Sequence, residues 1–117
     1  MPAVTWPQIV ANMPGAKWVV KVHGPGDSVE THEIPFADTV DTDGLVIGNV
    51  APAHVLVHAS AIPPTRAAVV AAGMHQFVSF LEGVVVVHGN PLTESYVRFD
   101  RRPLVFGEFT VYVGWSQ

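Results

Sequence analysis

Cysteine is absent from this 117-residue chain, which removes disulfide scaffolds, thiolate metal sites and cysteine nucleophiles together. Charge is the second shortage. Asp, Glu, Lys and Arg make up 14% of the residues, against about 25% in an ordinary globular domain. Six Lys and Arg stand against ten Asp and Glu, for a formal net charge of −4, so the basic surplus of a general nucleic-acid binder is missing and nucleic acid is not an expected partner. A long clean apolar run is also missing. Residues 67–87 come nearest, but His75, Gln76, Ser79 and Glu82 interrupt them, as do Gly73 and Gly83. A central acid alone costs about 2.5–3.5 kcal/mol on insertion, so no membrane span is expected. Residues 1–20 hold one cation, Lys17, and no basic stretch ahead of an apolar one, so no signal peptide is expected either.

Apolar side chains are what the chain has in quantity. A hydrophobic fraction of 49% excludes intrinsic disorder, and the length suits one domain spanning 1–117. Ten glycines and ten prolines are spread along it, punctuation that serves many short elements rather than long helices. Thr5 is a good cap for a short helix over 5–12, with Pro7 tolerated in the first turn and Met13-Pro14-Gly15 ending it.

Beyond that point strands dominate. Trp18, Val20 and Val22 alternate with Lys17, Lys21 and His23, the period of a half-buried strand. Gly24-Pro25-Gly26-Asp27 turns the chain into a returning strand over 28–34. Residues 36–44 read as an acidic loop, and 45–50 and 54–59 as apolar strands about Ala51-Pro52. For 65–72, Thr65 as a cap followed by alanines predicts a short helix or turn, with strand resuming near 75. Val84–His88, Thr93–Asp100 and Glu108–Trp115 complete a set that predicts a mainly β protein: an antiparallel β-sandwich or small barrel with one or two short helices.

Candidate chemistry is tested by spacing. His54 and His58 would share an ion on a helix, but on a strand four steps separate them by roughly 13 Å, so chelation by this pair is not expected. Asp38, Asp41, Asp43 and Gly44 lack the spacing and the closing Glu of an EF-hand loop and read as a solvated turn. Glu30 and His32 share a strand face as exposed neighbours, with Glu33 opposite. None of Ser28, Ser60, Ser79, Ser95 and Ser116 lies in G-x-S-x-G, and no phosphate-binding glycine pattern occurs. The Met1-Pro2 start invites comparison with tautomerases of the macrophage-inhibitory-factor type, whose base is an N-terminal proline; the long amphipathic helices of that fold have no counterpart here. No catalytic residue, cofactor or metal is therefore assigned, and no enzymatic activity is expected.

Arg98, Arg101 and Arg102 are half of the six cations, gathered within five positions beside Tyr96 and Phe99. Such a cluster suits an acidic partner surface, including the Asp38–Asp43 loop of a neighbouring subunit. With so little charge to coat it, the chain is expected to bury surface against copies of itself or other structural proteins. Trp6 and Trp115, near the two ends, are the candidate interface anchors. In overall profile, a short, cysteine-free, Ala/Val-rich β chain without a catalytic motif, it resembles the small virion proteins of tailed bacteriophages that decorate capsids, join heads to tails or build tails. That resemblance implies ring or lattice assembly without catalysis, in the virion or the host cytoplasm. The alternative from the residues is a carbohydrate-binding module stacking sugars on Tyr96, Tyr112 or Trp115.

Overall fold

The structure, a computed structural model, describes residues 5–93 and 96–117. One short helix, α1 (Trp6–Ala11), opens it. Its start is fixed by a capping box: Gln8 N–H donates to Thr5 Oγ1 at 3.4 Å, and Thr5 N–H donates to Gln8 Oε1 at 2.9 Å. Eleven strands follow: β1 (Lys17–His23), β2 (Val29–Pro35), β3 (Leu45–Gly48), β4 (Val55–Leu56), β5 (Arg66–Ala72), β6 (His75–Glu82), β7 (Val86–Val87), β8 (Asn90–Pro91), β9 (Val97–Arg98), β10 (Leu104–Phe106) and β11 (Phe109–Ser116).

They form a sandwich of a six-stranded sheet, ordered β2-β1-β11-β10-β7-β8, and a five-stranded sheet, ordered β4-β3-β5-β6-β9. Pairing is antiparallel throughout except between β3 and β4, which run parallel. Strand alternation builds the core directly. Trp18, Val20 and Val22 on β1 lie opposite Trp115, Val113 and Val111 on β11. They meet Leu45, Ile47, Ala67, Val69 and Val78 of the other sheet in one buried cluster. Full burial of each such aliphatic side chain contributes about 1.5–3 kcal/mol.

The predicted helix over 65–72 is not there: Arg66–Ala72 is a strand. The alanines mask the alternation, because Ala67 and Ala71 face the core while Ala68 and Ala72 face outward. β3 and β6 on either side decide the conformation that local propensity leaves open. Thr65 does not cap a helix; it is buried, and its hydroxyl donates to Pro63 O at 2.8 Å and accepts from Val84 N–H at 3.3 Å.

Trp6 is also placed differently from its expected role as an interface anchor. It is 5% exposed, with ring centroids 5.6 Å from Trp18 and 5.1 Å from Phe36. Its indole N–H donates to Thr39 Oγ1 at 3.0 Å, and Thr39 Oγ1 donates in turn to Phe36 O at 2.7 Å. Trp6 is therefore the pin that holds α1 to the end of the sandwich. Thr39→Val keeps the shape and leaves the indole N–H buried without an acceptor, so a loss of about 1–3 kcal/mol is expected in denaturant unfolding.

Candidate functional site

Two surfaces stand out. The first is an open groove of about 1010 Å³ where the β5–β6 turn, the segment after β9 and the end of β11 meet. Its lining includes Met74, His75, His88, Arg98, Arg101, Arg102 and Trp115. The three arginines singled out from sequence thus do share one surface, and Trp115 forms part of its wall. Trp115 is half-buried, its ring 5.7 Å from Phe36, so it joins the groove to the core. Met74, 91% exposed, and the two histidines were not anticipated. Met74 and His75 come from the β5–β6 turn and the first residue after it, and His88 from the β7–β8 turn, and no spacing in the chain links them to the arginines.

Asp100 organises this groove. It sits at φ +41, a backbone region that Asp tolerates better than most residues. From there Oδ1 accepts Gln76 N–H at 2.9 Å, and Oδ2 accepts Arg98 Nε at 2.5 Å and lies 3.3 Å from His75 Nδ1. Arg98 first, then the Gln76 N–H, with a further contribution from His75, holds its carboxyl down at about 2 from the usual 3.8. Arg101 and Arg102 make no ion pair among the described residues. The groove therefore carries at its rim two guanidinium groups with no acidic partner among the described residues.

The second surface is the outer face of the five-stranded sheet. Cross-strand partners point to the same side, so Val46, Ala68 and Ser79 form one outward row and half-buried Val70 and Phe77 another; Val46 is itself buried and Ser79 Oγ accepts Tyr96 N–H at 2.9 Å. Leu81, 47% exposed, extends the face toward the Arg66–Glu82 ion pair. Between the face and α1 runs a groove of about 560 Å³, walled by Trp6, Ile9, Asp43, Val70, Phe77 and Tyr96. The outer face of the six-stranded sheet differs in kind. There Lys17 pairs with Glu33, and His23 packs edge-on against Tyr112 at 5.2 Å between ring centroids, beside Lys21 and Thr31.

The remaining candidates do not converge. His54 Nδ1 accepts Val46 N–H at 2.8 Å, which leaves the ring proton on Nε2 to donate to Asp38 O at 3.1 Å. That ring ties the acidic loop to β3, while His58 is exposed further along. His32 Nε2 lies 3.5 Å from Glu30 Oε2 at the sheet edge. No group of three potential metal ligands forms among the described residues. Tyr112, Tyr96 and Trp115 lie on three different surfaces and do not make a common stacking platform. Met1-Pro2 and Ser95 lie outside the described residues. Among those residues, no helix is long and apolar enough to cross a membrane.

The Asp100 cluster makes a signed prediction. A carboxyl held below its unfolded value stabilises the fold above about pH 4, and that contribution disappears as pH falls through about 2. Asp100→Asn keeps the backbone preference and loses the charge, so it should be destabilised at neutral pH. Its deficit against the wild type should shrink between pH 4 and pH 2, read from thermal melts across that range.

Neither protein-family models, nor curated proteins, nor solved structures give a match to this chain.

Proposed function

We propose that the protein is a structural assembly subunit that docks onto copies of itself, with the outer face of the five-stranded sheet as its main contact. The observation that carries this reading is the contrast between the two outer faces. One carries Lys17, Lys21, His23 and Glu33 among Val19, Val29 and Tyr112. The other presents half-buried Ala68, Val70 and Phe77 with exposed Ala72 and Leu81 around Ser79, and its ionisable groups Arg66, Glu82 and His75 sit toward the strand ends. A sheet face of that kind is the composition of an interface between like chains.

The sheet edges support the same choice by being poor docking sites. The outermost strands β4, β8 and β9 are two residues long. The one long edge, β2, carries Glu30 and Glu33, and short or charged edges resist pairing with another chain. Association is thereby directed to a face. The virion setting, as a capsid decoration, head–tail joining or tail component contacting other structural proteins, rests on the resemblance in overall profile.

Light scattering coupled to size exclusion should give a mass above the 12.6 kDa of one chain at micromolar concentration. Ala68→Lys, a half-buried outward position in the middle of the face, should return the protein to one chain with unchanged circular dichroism. A wild-type monomer across the micromolar range would overturn the reading.

A further inference from the structure

The apolar face is bordered by opposite charges on its two sides, and strand register shows that they lie in one row. Leu45 on β3 is opposite Val69 on β5, so the next residue outward, Gly44, comes level with Val70. The close approach there bears this out. Gly44 has φ +138, and a Cβ on it would come 2.7 Å from Val69 O and 3.1 Å from Val70 Cγ1, so only glycine lets the acidic loop lie this tightly against β5. Val70 is opposite Phe77, and Phe77 is opposite Arg98. Across the sheet the order is therefore Asp43-Gly44, Val70, Phe77, Arg98, spanning roughly 14 Å at about 4.8 Å per strand. Asp43 shares its groove with Val70 and Phe77, and exposed Asp38 and Asp41 lie in the same loop. Arg101 and Arg102 follow Arg98 beyond the other border.

Resting on the self-docking reading above, we infer that this face pairs with the same face of a second copy about a two-fold axis running along the strands. In that pairing the acidic border of each chain lies against the arginine border of the other. Two sheets packed face to face can be related by a two-fold axis lying in the interface, either along the strands or across them. An axis across the strands returns each border to its own side, setting the acidic loop with Asp43 against itself and the other border, where Arg98 is already paired with Asp100 and the net positive charge comes from Arg101 and Arg102, against itself. An axis along the strands exchanges the borders, so two unlike contacts form and Val70 and Phe77 meet their counterparts between them. Like-charge juxtaposition disfavours an interface, so the charge order selects the second arrangement. Either axis keeps the strands of the two sheets aligned, as twisted sheets pack face to face, so the charge order alone decides between them. Because the contact is isologous, each charged pair occurs twice.

The test exchanges the charges. Asp43→Lys and Arg98→Glu, each alone, place like charges opposite one another at both contacts and should weaken self-association about tenfold or more in sedimentation velocity. Mixing the two variants in equal amounts should restore pairing to near wild-type strength, because each chain then offers two borders of one sign to a partner with two of the other. Asp43 stands at φ +53, where Lys is strained, so Asp43→Asn, which tolerates that backbone, serves as the second variant and should weaken pairing by less. Thermal melts of each variant report folding separately. If Ala68→Lys abolishes association while the charge variants and their mixture behave like wild type, the two-fold arrangement is wrong and the self-docking reading stands. If the wild type is monomeric, both fall.

Discussion

A β-strand cannot bury one side chain without presenting the next on the opposite face, and this constraint governs the molecule. In β1 and β2 the outward positions carry Lys17, Lys21, His23, Thr31 and Glu33 with Val19, Val29 and Pro35 among them, and the six-stranded sheet meets water on that side. In β5 and β6 the middle outward positions are Ala68, Val70, Ala72, Phe77 and Ser79, with Arg66, Glu82 and His75 toward the strand ends. With 14% charged residues the chain has too few ionic groups to clothe two outer faces. It spends them on one face and on the borders of the other. The uncovered face is a consequence of that distribution, not of a defect in core packing, since the inward positions of both sheets are filled by a single continuous cluster.

What the sequence made legible follows the strength of local signals. The capped helix at Trp6–Ala11 was readable because Thr5 and Gln8 satisfy each other's backbone donors whatever the rest of the chain does. β1 and β11 were readable because large apolar residues alternate with polar ones. Arg66–Ala72 was not, because alanine suits a helix, packs in a core and covers a surface, so its alternation carries no contrast. The short strands β4, β7 and β9 are two-residue parts of segments expected to be longer, and β8 falls where a turn was expected. Only two residues of each find a partner, and pairing is a tertiary property.

The site was legible in part for the same reason. Arg98, Arg101 and Arg102 cluster in sequence and remain together in space, so composition alone exposed them. Trp115, expected as an interface anchor, is half-buried in the wall of the arginine groove, whereas Trp6 was misjudged from its position near the chain start. The residue that claims it is Thr39, thirty-three positions away, and an acceptor at that distance leaves no local mark. Met74 and His75 reach the arginine groove from the β5–β6 turn and the first residue after it, and His88 from the β7–β8 turn. Asp100, which fixes Arg98 beside Gln76, looked like an ordinary strand-end acid until its partners were known.

These interactions depend on one another through Arg98. Asp100 anchors its guanidinium at the end of β9, so the positive border does not trail into solvent as a free side chain would. Less conformational freedom then has to be surrendered when an acidic surface arrives, which is the general advantage of an ordered partner. On the opposite border, His54 holds the acidic loop through Asp38 O, and Gly44 lets that loop lie against β5. Both borders are therefore fixed before any contact is made. A two-fold contact between such faces closes on itself and stops at two chains. Growth into a ring or lattice calls for a second and different surface, and Arg101 and Arg102, unpaired among the described residues, remain at the groove rim outside the row that the pairing uses.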